Sequence, residues 1–187
     1  MKRVDRSELL DWATWTDRRD ELRPRALAAK ELRRVELGLF LCFLFENRDT
    51  VLYQVQEMMR VERIVRDGDI QHELATYNEL LGREGALGCT LLIGVPDEAE
   101  RARRLSAWLD LNPTLFCRLD DGSKVRATWD ERQVGDGRLS AVQYLQFPVG
   151  GRIPVAIGCD HVDPDLAGET LLSPEQRAAF AGDLAET

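Results

Sequence analysis

The stretch Thr114-Leu115-Phe116-Cys117-Arg118-Leu119-Asp120-Asp121-Gly122-Ser123-Lys124-Val125-Arg126-Ala127-Thr128-Trp129 places two strand-like runs around four turn-forming residues. Such a pattern predicts a β-hairpin with its turn at Asp120 to Ser123. The neighbouring segments continue in the same manner. Residues 140–149 alternate Ala141, Gln143, Leu145 and Phe147 with Val142, Tyr144 and Gln146, the period of a strand with two different faces. Residues 90–95 and 154–159 read as further strands. Short turns between strands imply antiparallel pairing, so the fold class is α+β with a mostly antiparallel β-sheet.

The remainder reads as helix. Residues 6–22 carry Leu9, Leu10, Trp12, Trp15 and Leu22 at helical spacing, with Ser7 placed to cap them. Pro24 punctuates this N-terminal arm. Residues 25–45 are rich in Ala, Leu, Glu, Lys and Arg and predict a strong helix. A helix over 50–66 follows the break at Asn47 to Thr50, and Asp67-Gly68-Asp69 ends it. A shorter helix spans 70–81, with Gly82 as its stop. Residues 96–109 form an inserted helix, and 174–184 a C-terminal one capped by Ser173. The expectation is a single domain over 1–187, mainly helical over 1–88 and mainly β over 89–187.

Of the 187 residues, 44% are hydrophobic and 31% charged, which favours a folded chain over a disordered one. The net charge of −8 argues against general affinity for nucleic acid or an anionic membrane. Arg18, Arg19, Arg23, Arg25, Lys30, Arg33 and Arg34 cluster early, but acidic residues interleave with them, as on a solvated helix face. The apolar run from Leu37 to Phe45 is far short of the about 20 residues of a membrane span and reads as a buried helix or strand. The first residues lack the apolar core of a signal peptide, so a cytoplasmic location is expected. Cys42, Cys89, Cys117 and Cys159 form no CxxC pair and read as buried free thiols.

The segment from Glu46 to Arg63 holds most of the chemistry. On an unbroken helix, Thr50, Tyr53, Glu57 and Arg60 share the side of Glu46, the last three within about 40° of it. Leu41, Leu44, Val51, Val55, Met58 and Met59 face the other way, together with Arg48 and Glu62. Charges on an apolar face are costly unless paired. Two readings follow. Arg48 and Glu62 form a clamp to neighbouring elements, or a polar pocket is lined by Arg48, Glu57, Arg60, Glu62 and Glu73, with Tyr77 and Asn78 beside it. A metal ion is the cofactor such a pocket suggests, with Glu57, Glu62 and Glu73 as oxygen ligands and His72 or His161 as nitrogen ligand. The Glu-x-x-His pairs of a helical-bundle di-iron site are absent. Asp160-His161 closes the last predicted strand, a position where loops often carry function. Gly82, Gly85 and Gly88 lack the strand–turn–helix context of a phosphate loop, and no familiar hydrolase motif is present.

Lys30 to Gly38, Phe45-Glu46-Asn47-Arg48-Asp49-Thr50 and the run Gln54 to Ile64 resemble the bacterial domain of unknown function 3501 family. The likeness extends through Glu73-Leu74, Tyr77-Asn78, Ala141 to Phe147 and Gly158-Cys159-Asp160-His161. Members are often encoded near rubrerythrin-like and iron–sulfur proteins, which implies a redox- or peroxide-related setting and partners of those kinds. Relatives often carry His where Gln143 stands, and Pro and Tyr where Val162 and Asp163 follow His161. That departure weakens any metal or acid–base role for the sheet. Three functions stand open: an accessory protein to a redox or metal partner, itself a homo-oligomer; a metal-dependent enzyme or metalloprotein built on residues 46–78; and a sensor in which Arg48 or Arg60 grips an anionic small molecule.

Overall fold

The computed structural model describes residues 1–135 and 137–186; positions 136 and 187 of the predicted 1–187 span lie outside that description. Its strands are β1 (Arg34–Leu37), β2 (Leu41–Phe45), β3 (Leu87–Ile93), β4 (Leu115–Arg118), β5 (Lys124–Arg126), β6 (Thr128–Trp129), β7 (Val134–Gly135), β8 (Arg138–Leu139), β9 (Val142–Phe147), β10 (Ala156–Cys159) and β11 (Gly168–Leu171). One sheet runs β1-β2-β3-β9-β6, a second β11-β10-β4-β5, and β7 pairs with β8. The pairing is antiparallel throughout, and with the five helices the fold is α+β, as the hairpin pattern predicted.

The strand period explains the core. Val35, Phe43 and Leu91 stand in one inward row with Gln143, and Phe45, Cys89 and Leu145 in another. They meet Leu115, Cys117 and Ile157 from the second sheet in one apolar cluster. The two sheets join at both ends. Thr170 Oγ1 donates to the carbonyl of Glu36 at 2.7 Å, which ties β11 to the edge strand β1. At the other end the predicted hairpin splits. β5 pairs with β4 as expected, but β6 crosses to β9, and the change of sheet falls at buried Ala127.

The helices are α1 (Trp12–Glu31), α2 (Arg48–Val61), α3 (Asp67–Asn78), α4 (Glu98–Ala107) and α5 (Pro174–Ala185). Leu105 of α4, with Trp108 just beyond it, and Phe180 of α5 plug the space between the sheets. Ser173 caps α5 through a capping box, as its position predicted. Other expectations need correction. Residues 6–8 form a separate 3₁₀ turn capped by Asp5, not Ser7, and Asp11 caps α1. Pro24 lies inside α1, exposed, so solvent can take the carbonyl that its missing N–H leaves free. Asp67-Gly68-Asp69 begins α3 rather than ending the helix before it.

The largest correction is at residues 25–45. The helix ends at Glu31, and the rest is the β1–β2 hairpin. Arg34-Val35-Glu36-Leu37 alternates with period two, exposed then buried. β2 is flanked by β1 and β3, and its apolar side chains on both faces are the mark of a strand inside a sheet. Gly38 turns the chain with φ +60. Helix propensity gave way to sheet pairing.

A second apolar cluster holds the helical part. Val51, Val55 and Met59 of α2 pack on Ile70 and Leu74 of α3 and on Val4 and Leu9 of the N-terminal segment. Between the clusters lies a buried ion pair. Arg33 Nη2 and Nε donate to Asp183 of α5 at 2.7 and 2.8 Å, and Nη1 donates to the Ala29 carbonyl at 2.9 Å. Asn47, the cap of α2, donates to the same carboxylate at 3.3 Å.

Removing one partner of this pair leaves a buried charge. Asp183→Asn should lower unfolding free energy by about 3–5 kcal/mol in urea denaturation. Arg33→Met combined with Asp183→Leu should recover part of that loss. Arg63, just after α2, holds φ 54 without being glycine. Arg63→Gly should therefore raise the urea midpoint slightly, by about 0.5–1 kcal/mol in stability.

Candidate functional site

The predicted polar stripe of α2 exists, but Glu46 lies outside the helix, before the Asn47 cap. Glu46 accepts from Thr50 Oγ1 at 2.6 Å and from Thr90 Oγ1 at 3.2 Å, joining α2 to β3. Glu57 faces α1. Arg19 donates to both of its oxygens at 2.9 and 3.1 Å through Nε, and again through Nη2 at 2.9 Å. Arg60, three residues on, donates at 3.2 and 3.3 Å, and Trp15 Nε1 at 3.0 Å. Burial alone would raise this carboxyl's pKa. The hydrogen bonds from Arg19, Arg60 and Trp15 outweigh it and lower the value from 4.5 to about 2. Glu57 is thus a permanent anion shared by two guanidinium groups, which suits it to holding α1 on α2 and not to exchanging protons.

Arg48 and Glu62 do not meet. Arg48 donates to Glu8 at 2.5 Å and to the carbonyls of Lys2 and Arg3. Glu62 is the exposed C-cap of α2. Two buried amides do the same kind of work as Arg48. Asn78 accepts from the Val4 N–H at 2.8 Å and donates to its carbonyl at 3.0 Å. Gln56 accepts from the Leu10 N–H at 2.6 Å and donates to the Leu10 carbonyl at 3.2 Å. Each amide matches one residue's backbone donor and acceptor, so the N-terminal segment stays in place without a strand partner. Glu73 and Tyr77 are half-buried on α3, and His72 is exposed there.

His161 stands in the β part, buried, with Nε2 3.0 Å from Asp110 and Nδ1 accepting from the Asp163 N–H at 3.0 Å. Asp160 beside it pairs with Lys124 and Arg126. The metal-ligand candidates Glu57, Glu62, Glu73, His72 and His161 do not form a group of three. Among the described residues no three His, Cys, Asp or Glu side chains form such a group. Gln143 is fully buried, accepts from Asn112 Nδ2 at 2.8 Å and donates to the Ser140 carbonyl at 2.9 Å. The four cysteines are free and buried, and burial pushes their thiols up, Cys42 to about 11.

Joining α1 to α2 leaves a cleft of about 570 Å³ between them. Trp15 and Tyr53 line it and meet edge to face, with centroids 5.9 Å apart. Arg48 and Glu8 bound it, and Arg25 of α1 reaches Asp49 of α2 at 2.9 Å across it. Of the predicted pocket residues only Arg48 lines this cleft, while Glu57 supports it from beneath Trp15. Sequence reasoning missed Trp15, Arg25 and Tyr53 as a set, because they meet only when α1 folds back on α2.

The chain matches, over residues 3–184, the model of the family described as protein of unknown function, DUF3501, and belongs to that family. It is similar to a crystal structure of a novel protein of unknown function from Burkholderia pseudomallei K96243. The two share 32% identity and a TM-score of 0.87, over 98% of this chain and 100% of that one. No curated protein matches it. No helix among the described residues is long and apolar enough to cross a membrane.

The depressed pKa of Glu57 fixes an acid limb. Its contribution to stability is complete above about pH 4.5 and is lost as pH falls toward 2. Glu57→Gln should flatten that part of a stability–pH profile measured by urea denaturation. At neutral pH it should cost on the order of 1–2 kcal/mol, allowing for solvent screening around the partly exposed Arg19 and Arg60.

Proposed function

We propose that this protein is an accessory protein that binds a small organic acid in the α1–α2 cleft and works beside a redox- or metal-handling partner. The cleft carries the reading. It combines an aromatic wall, Trp15 and Tyr53, with guanidinium forks at its margins, and arginine's planar fork suits a carboxylate. Arg18, Arg25 and Arg48 line it, but so do Glu8, Asp49 and Glu186. Equal numbers of both signs favour a ligand with one carboxylate and one amino group over a polyanion. The resemblance supports the setting, with rubrerythrin-like or iron–sulfur proteins as partners. The clamped Glu57 fits a binding role, since a carboxylate held by two arginines is poorly placed to act as a general base.

The test is titration calorimetry, with tryptophan fluorescence reporting on Trp15. The probes are free aromatic and aliphatic amino acids and the matching acids that lack the amino group. An amino acid should bind saturably, and its des-amino counterpart more weakly. Arg25→Ala, at an exposed side chain, should weaken binding roughly tenfold, about 1.4 kcal/mol, without lowering the melting temperature. Absence of saturable binding at millimolar concentration, or binding indifferent to Arg25→Ala, rules the reading out.

A further inference from the structure

The outward face of the five-stranded sheet carries two parallel rows of side chains. Pairing across β1, β2, β3 and β9 aligns Arg34, Leu44, Thr90 and Tyr144 in one row. It aligns Glu36, Cys42, Leu92 and Val142 in the next. Among the described residues no helix buries this face fully: Leu92 remains 36% and Tyr144 48% exposed, while Cys42 and Thr90 are buried between their neighbours. Its centre is apolar except for Thr90, whose hydroxyl is held by Glu46, and its β1 margin carries an Arg34–Glu36 ion pair at 2.6 Å with both side chains exposed.

We infer that this face is the contact surface of a homodimer, two copies stacking sheet on sheet. The two rows are complementary to each other. A two-fold axis lying between the sheets, across the strands and midway between the rows, sets each row over the other row of the second copy. Tyr144 then stands over Val142 and Leu44 over Cys42. At the margin Arg34 of each copy faces Glu36 of the other, so both charges find an opposite partner twice, and no like charges are opposed. A self-complementary arrangement of this kind suits a second copy of the same chain, whereas a partner of one net sign would meet one of the two marginal charges as a repulsion. Stacked sheets sit about 10 Å apart, a spacing that aromatic and branched side chains such as Tyr144 and Leu92 fill.

Sedimentation velocity on the full chain, from low to high micromolar concentration, tests this. The expected result is a concentration-dependent shift to the mass of two chains. Tyr144→Glu and, separately, Leu92→Glu should each weaken dimerisation at least tenfold, with circular dichroism and melting unchanged for the more exposed Tyr144 variant. Glu36→Arg should weaken the dimer by opposing like charges, and Arg34→Glu with Glu36→Arg should restore it. A chain that remains monomeric at high micromolar concentration overturns the inference. So does a dimer that survives Tyr144→Glu, or one that the double charge exchange fails to restore.

Discussion

The buried pair of Arg33 and Asp183 holds the molecule's parts in relation to one another. Arg33 sits where α1 gives way to β1, and Asp183 lies in the closing helix. Asn47 joins them from the point where β2 gives way to α2. Two junctions and the closing helix therefore meet on one carboxylate. Two charges out of water are tolerable only when every hydrogen-bonding direction is met. Three of the guanidinium's five N–H groups, one on each nitrogen, are met by the Asp183 oxygens and the Ala29 carbonyl. The pair thereby specifies how the helical part and the sheets sit together, more than it adds net stability.

α2 is the hub of the helical part. Its apolar side packs on α3 and the N-terminal segment. Its polar side divides its labour along its length. Arg48 and Gln56 grip the backbone of the first residues, and Glu57 draws in Arg19 and Trp15 of α1. The cleft follows from this arrangement. α1 is held near one end by the Glu57 group, and further along the exposed Arg25–Asp49 pair spans the cleft, with aromatic and aliphatic side chains between.

Much of the predicted site was legible as residue types but not as relations. The α2 stripe placed Glu57 beside Arg60 correctly, since residues three apart share a helix face. Nothing in that spacing indicated Arg19, 38 residues away in sequence. Arg48 and Glu62 looked like a pair because both fell on the apolar side of an ideal helix. In fact α2 begins at Arg48 and ends at Val61, and side chains at helix termini turn outward to other partners. Residues 25–45 failed for a different reason: the local composition favours helix, and the neighbouring strand that rewards an extended chain lies more than forty residues further on, in β3.

The sequence by itself determined the α+β class, the strands at β3, β4, β9 and β10, the closing helix with its Ser173 cap, and the family. These rest on short-range periodicity and turn chemistry, which act within a few residues. Only the tertiary structure decided that β1 and β2 are strands, that the 114–129 hairpin splits between two sheets, and that Glu57 is a clamp. The same holds for the cleft formed by Trp15, Tyr53 and Arg25. The physical reason is common to all of these. Each depends on a partner distant in the chain, and the energies of burial and ion pairing that select that partner exist only once the two segments are in contact.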